Sequence, residues 1–94
     1  MSSDIRDNVN RRRFELERNG QIAFANYERR GSELVIRHVE AAIPLRGTGA
    51  AGDLMRGVAE IARSEGLKIT PLCGYAFAWI RRHKEYGDLL NRGS

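Results

Sequence analysis

A single cysteine, Cys73, stands in this chain of 94 residues, so no disulfide can close within it. The only other soft ligands are two histidines, His38 and His83. They lie far from Cys73 and from each other, which gives no zinc spacing and no reason to expect a metal. Apolar runs are short. None approaches the roughly 18 to 20 residues of a membrane span, and the opening MSSDIRDNVNRRR has no apolar centre of the kind a secretory signal needs. The expectation is a protein of the reducing cytoplasm with no membrane partner. Internal repeats and low-complexity stretches are also missing.

What is present is ordinary for a globular domain: 41% hydrophobic and 30% charged residues, one folding unit with a thin core. A thin core and an open sheet edge allow a monomer or a weak homodimer. The net charge is +4, and it is carried by arginine, since Lys68 and Lys84 are the only lysines among 16 basic side chains. Arginine's planar fork suits phosphate. The charge alone would permit a nucleic acid. The pattern argues against one, because a double-stranded RNA domain would begin with a helix and an RNA-recognition sheet would carry aromatics on its central strands.

Residues 1–11 are polar and aperiodic and read as a flexible arm, with a single domain over 12–94. From Arg12 the chain alternates. Phe14 and Leu16 fall on one face of a strand, and Arg13, Glu15 and Glu17 on the other. Asn19-Gly20 is a hairpin signal. A second strand follows to Glu28, with Ile22, Phe24 and Asn26 on one face. After Arg30-Gly31-Ser32 a third strand places Leu34, Ile36 and His38 on one side and Val35, Arg37 and Val39 on the other. Pro44 keeps residues 41–45 extended. A helix begins within 46–52, carries its apolar stripe on Ala51, Leu54, Met55, Val58 and Ala62, and stops at Gly66. A short strand over 67–72 and a helix over 75–83 follow, with a further turn over 85–90. The order predicts an α+β fold: a three-stranded antiparallel meander leading into a β-α-β unit and a C-terminal helix, on a mixed sheet.

The motif with chemistry in it is Arg46-Gly47-Thr48-Gly49-Ala50-Ala51, where a strand hands over to a helix. A helix N-terminus exposes free N–H groups and a partial positive charge. Flanking glycines leave that backbone accessible, and Arg46 adds a cation. The arrangement suits a phosphate or diphosphate. The spacing is neither a Walker loop nor the dinucleotide fingerprint, and a plain tight turn would use the same glycines.

Those six residues resemble the Arg/Gln-x-x-Gly-x-Gly/Ala signature of GNAT acetyltransferases. His38, eight residues upstream, the stretch Ile69-Thr70-Pro71-Leu72-Cys73, and the tail Cys73-Gly74-Tyr75 with Arg82-His83-Lys84-Glu85-Tyr86 narrow the likeness to the very short YjdJ-type proteins of that superfamily. The resemblance implies acetyl-CoA as co-substrate and an amine as acceptor. It further implies that the coenzyme diphosphate lies on Arg46, Gly47, Thr48, Gly49, Ala50 and Ala51, that pantetheine lies along Ala41, Ala42 and Ile43, and that Tyr75 stands close by. It makes His38 a candidate general base and Cys73 a candidate acetyl carrier. Apart from the resemblance, Cys73 reads as a small buried residue and His38 as a hydrogen-bonded histidine at the edge of the core. The elements that build an acceptor site in longer acetyltransferases are missing, so a CoA-binding module with little or no transfer is the alternative. Tyr75 and Tyr86 are alternative general acids for the leaving thiolate, although packing is the more ordinary role for both.

Overall fold

The computed structural model describes residues 5–91. Five strands form one mixed sheet in the order β1-β2-β3-β4-β5: β1 (Ile5–Asn8), β2 (Arg13–Arg18), β3 (Gln21–Arg30), β4 (Glu33–Ala41) and β5 (Lys68–Pro71). The first four pair antiparallel, and β4 pairs parallel with β5. Helix α1 (Ala50–Glu65) makes the crossover between β4 and β5, and α2 (Gly74–Arg82) follows β5. The expected α+β architecture is present.

Local signals set the corners. Asn19 and Gly20 both have positive φ, 53° and 77°, as a two-residue type I′ hairpin demands. Gly66 ends α1 in the left-handed region, its N–H reaching the carbonyls of Ala62 and Arg63. Leu54, Met55, Val58, Ala59 and Ala62 of α1 are fully buried. They pack on Phe14, Leu16, Leu34, Ile36 and Ile69 of the sheet, and each large side chain contributes about 2 kcal/mol by leaving water.

Ile22, Phe24 and Asn26 of β3 share one face, as expected, and it is the opposite face that is buried. Ala23, Ala25 and Tyr27 are the buried residues, on the side of α1. Register supplies the reason. Phe14 pairs with Ala25 and Leu16 with Ala23, so small side chains stand beside large ones and α1 can approach. Phe24 instead carries the Arg13 guanidinium 4.4 Å above its ring.

A bulge corrects the expected face of His38. Asn26 pairs with His38, but Tyr27 pairs with Ile36, which leaves Arg37 as an extra residue. The alternation of side chains breaks there. His38 therefore turns away from the face of Leu34 and Ile36, and Val39 and Ala41 turn onto the core.

The expected loose arm is also corrected. Residues 1–4 lie outside the described residues, but Ile5–Asn8 form an edge strand paired with Arg13–Leu16. Polar residues hold it. Glu15, only 3% exposed, accepts hydrogen bonds from Arg6 Nη2 at 2.6 Å, Asn8 Nδ2 at 3.0 Å and Arg13 Nε at 2.6 Å. Ile5 adds an apolar anchor by seating against Gly57 of α1, where a Cβ would stand 2.2 Å from Ile5 Cγ1. Gly57→Ala should therefore destabilise the protein by about 1–2 kcal/mol, because overpacking outweighs the gain in helix propensity. Urea midpoints test this. A variant as stable as the wild type would show that β1 simply shifts aside.

Candidate functional site

The parallel pairing of β4 with β5 runs from Glu33–Lys68 to Ile36–Pro71 and closes with Leu72 N–H donating to Ile36 O at 2.9 Å. Beyond that point β4 continues to Ala41 while the chain after Leu72 turns into α2. One edge of β4 is thus left without a partner strand among the described residues. The Ala42 N–H donates to Ile22 O at 3.0 Å, and antiparallel alternation then aims the peptide groups of Val39 and Ala41 at the open side. This changes the expected backbone wall of Ala41, Ala42 and Ile43. Ala41 faces the gap, the Ala42 amide belongs to β3, and Ile43 lies in a 3-10 turn (Ile43–Leu45) with its side chain exposed. Val39, which sequence reasoning passed over, joins Ala41. Only the bulge reveals it, because the bulge decides which peptides face outward.

The glycine turn closes the far end of this gap. Gly47 and Gly49 have φ of 80° and 88°, and a Cβ on either would meet nothing within 4 Å. Conformation, rather than lack of room, calls for glycine here. Thr48 braces the turn: its hydroxyl donates to Leu45 O at 2.5 Å and accepts the Ala50 N–H at 3.3 Å, and its own N–H goes to Leu45 O. Thr48 and Ala50 are therefore structural here and have no free amide to offer. The helix ladder begins with Asp53 N–H on Gly49 O. Among the described residues, the N–H groups of Gly47, Gly49, Ala51 and Gly52 have no acceptor. They lie at the positive end of the α1 dipole. Gly52 is a further site residue that the spacing did not single out.

Two charged groups tune this turn. Arg46 Nε donates to Ala41 O at 3.0 Å, which ties the guanidinium to the mouth of the gap and leaves its two outer nitrogens for an anion. Asp53, in the first turn of α1, would repel an anion. Arg18 offsets it with an ion pair at 2.7 Å.

Cys73 precedes α2 in an extended conformation and is half-buried against the core. His38 is exposed on the opposite face, its Nε2 3.0 Å from Glu40 Oε1 and its ring 6.4 Å from that of Phe24. Each stands two residues beyond the last β4–β5 pair, so the backbone brings them to the same end of the gap. The bulge separates their faces, and no hydrogen bond joins them among the described residues. A His–Cys pair acting as one unit is not what the geometry offers.

Tyr75, in the first turn of α2, has its hydroxyl 3.8 Å from where a Cβ on Gly52 would stand, and burial pushes its phenol pKa up. Tyr86 is buried elsewhere. Its hydroxyl donates to Glu60 at 2.5 Å and accepts from Arg56 at 3.4 Å, and burial raises its pKa as well; it is a packing residue. A cleft of about 750 Å³ lies beside α2, lined by Thr70, Phe77, Arg81, Lys84 and Leu90 among others. It is not at the glycine turn. The turn groups unpartnered amides at a helix N-terminus beside Arg46, whereas the cleft offers only the side-chain donors Arg81, Lys84 and Asn91.

Among the described residues, no group of three or more His, Cys, Asp or Glu side chains is placed to hold a metal, and no helix is long and apolar enough to cross a membrane. A search of curated proteins returns no match. A family model described as GCN5-related N-acetyl-transferase matches residues 13–89. That span holds the bulged strand, the glycine turn with its free amides and the residues that open the gap, and the chain belongs to the GCN5-related N-acetyltransferase family.

Proposed function

We propose that the protein transfers an acetyl group from acetyl-CoA to an amine. The observation that carries this reading is the set of unpartnered amides of Gly47, Gly49, Ala51 and Gly52 at the end of a gap whose wall is the free edge of β4. The amides and Arg46 hold the diphosphate, and the peptide groups of Val39 and Ala41 pair with the pantetheine amides as a strand would. This directs the thioester toward the end of the gap where β4 and β5 part, between Cys73 and His38.

The acceptor amine approaches from the exposed face that bears His38. In the tautomer that turns Nε2–H toward Glu40, Nδ1 is left to take the amine proton. The amine nitrogen attacks the thioester carbonyl carbon, the C–S bond breaks, and the thiolate collects a proton. That proton comes from solvent at the exposed face. Direct attack fits the separation of His38 from Cys73 better than a relay through an acetyl-cysteine.

The test is CoA release with candidate amines, alongside calorimetry with CoA. His38→Ala should lower kcat by roughly 100-fold with little change in CoA affinity, as loss of a general base does. Cys73→Ala should retain turnover, with no acetyl adduct on the wild-type protein by intact mass; an adduct would establish the covalent route instead. A second reading, a CoA-binding module without transfer, draws on the exposure of His38, whose side chain is 56% accessible and therefore poorly shielded from water. Tight CoA binding with turnover indifferent to both substitutions would favour that reading.

A further inference from the structure

Trp79 is 3% exposed and held rigidly. Its ring stacks on His83 at 3.9 Å and 15° and lies 5.6 Å from Tyr86, with the Arg56 guanidinium over it. The His83 ring nitrogen Nδ1 sits 2.8 Å from the Trp79 carbonyl, which fixes the stack further. Yet the indole N–H has no acceptor among the described residues. Among the described residues, no sealed side-chain nitrogen or oxygen lacks a partner, so the indole nitrogen must open to the outside. It stands 3.5 Å from where a Cβ on Gly52 would be, and the Tyr75 hydroxyl stands 3.8 Å from the same point. The Tyr75 hydroxyl has no acceptor among the described residues either. Two donor atoms thus stand within 4 Å of one point beside the first turn of α1, at a position where the chain carries no side chain.

We infer that Gly52, Trp79 and Tyr75 form a donor notch that holds one acceptor oxygen of the coenzyme and sets the distance between the coenzyme and α2. The inference rests on the coenzyme site proposed above and adds to it a contact from the second helix. A rigid donor loses little freedom on binding, so the notch contributes to affinity without a conformational change. The oxygen is either a diphosphate oxygen or an amide carbonyl of the pantetheine arm, since both are strong acceptors that run close to the α1 N-terminus in that site.

Trp79 is the only tryptophan, so its emission reports on the notch in the intact wild-type protein. CoA should shift that emission with the same midpoint that calorimetry gives. Gly52→Ala should raise the melting temperature slightly, because alanine is the better helix former and its Cβ meets only ordinary contacts. The same change should weaken CoA binding about tenfold by filling the notch. A purely structural role would not move stability and affinity in opposite directions. Trp79→Phe, checked for folding by circular dichroism, should weaken CoA binding to a similar extent. ADP and pantetheine identify the source of the oxygen: the fragment that shifts the emission carries it. If calorimetry shows CoA bound while the emission stays unchanged, or if Gly52→Ala keeps wild-type affinity, the notch is refuted and the coenzyme site stands. The notch is also refuted if neither fragment moves the emission at concentrations where calorimetry shows it bound. Absence of any heat with CoA removes the site and the notch together.

Discussion

Gly49→Val abolishes CoA binding, by at least about 100-fold, and leaves the sheet folded. The expectation follows from φ of 88° at Gly49 and the open space around it. A β-branched residue has no room problem there. It has a conformational one, since a left-handed backbone costs an ordinary L-residue about 1–2 kcal/mol and a β-branched residue more. The turn escapes that cost by rotating out of the left-handed region, and the amides of Gly49 and Ala51 then no longer keep their native orientation. Gly31→Val is the matched control. Gly31 also has positive φ, 56°, with nothing within 4 Å of a Cβ, but it sits in the β3–β4 turn. It should lose comparable stability and keep wild-type affinity for CoA. Calorimetry on the two variants decides the matter. If Gly49→Val binds CoA as the wild type does, the glycine turn is only a turn.

Glu15→Gln should destabilise the fold by about 2 kcal/mol at neutral pH. That is the scale for charge-assisted hydrogen bonds, lowered because Arg6 is 68% exposed and can rehydrate. The carboxylate is held to about pKa 2 from an ordinary 4.5, first by the hydrogen bond from Arg6 and then by those from Arg13 and Asn8, against the opposing effect of burial. A depressed folded-state pKa contributes stability that is complete above about 4.5 and is lost as the pH falls through 2. The stability gap between wild type and Glu15→Gln should therefore be widest at neutral pH and shrink steadily between pH 4.5 and 2. Urea midpoints at pH 7 and pH 2.5 measure it. A gap that does not change with pH would mean that Glu15 acts by packing alone.

Both predictions touch features that were unequally readable from the chain. The glycine turn could be seen because a positive φ and a helix start are properties of a few neighbouring residues, and Gly47, Gly49 and the stripe through Leu54, Met55 and Val58 announce them. The Glu15 cluster could not be seen. Arg6 and Asn8 look like any polar arm until β1 lies against β2 and one buried carboxylate collects three donors. His38 is the sharper case. Strict alternation assigns it to the face of Leu34 and Ile36, and the one extra residue at Arg37 moves it to the other face. The same bulge turns the peptides of Val39 and Ala41 outward and so moves the open wall of the gap.

What the amino-acid sequence determined unaided is everything carried by short-range backbone preference: the Asn19-Gly20 hairpin, the turn at 46–49, the helix that follows it and its stop at Gly66. What only the tertiary structure decided is which face each strand buries, where β4 parts from β5, and how Trp79 and Tyr75 come to stand over Gly52. Those depend on register between segments tens of residues apart, and register is set by the packing of large against small side chains across strands, which no single stretch of the chain contains.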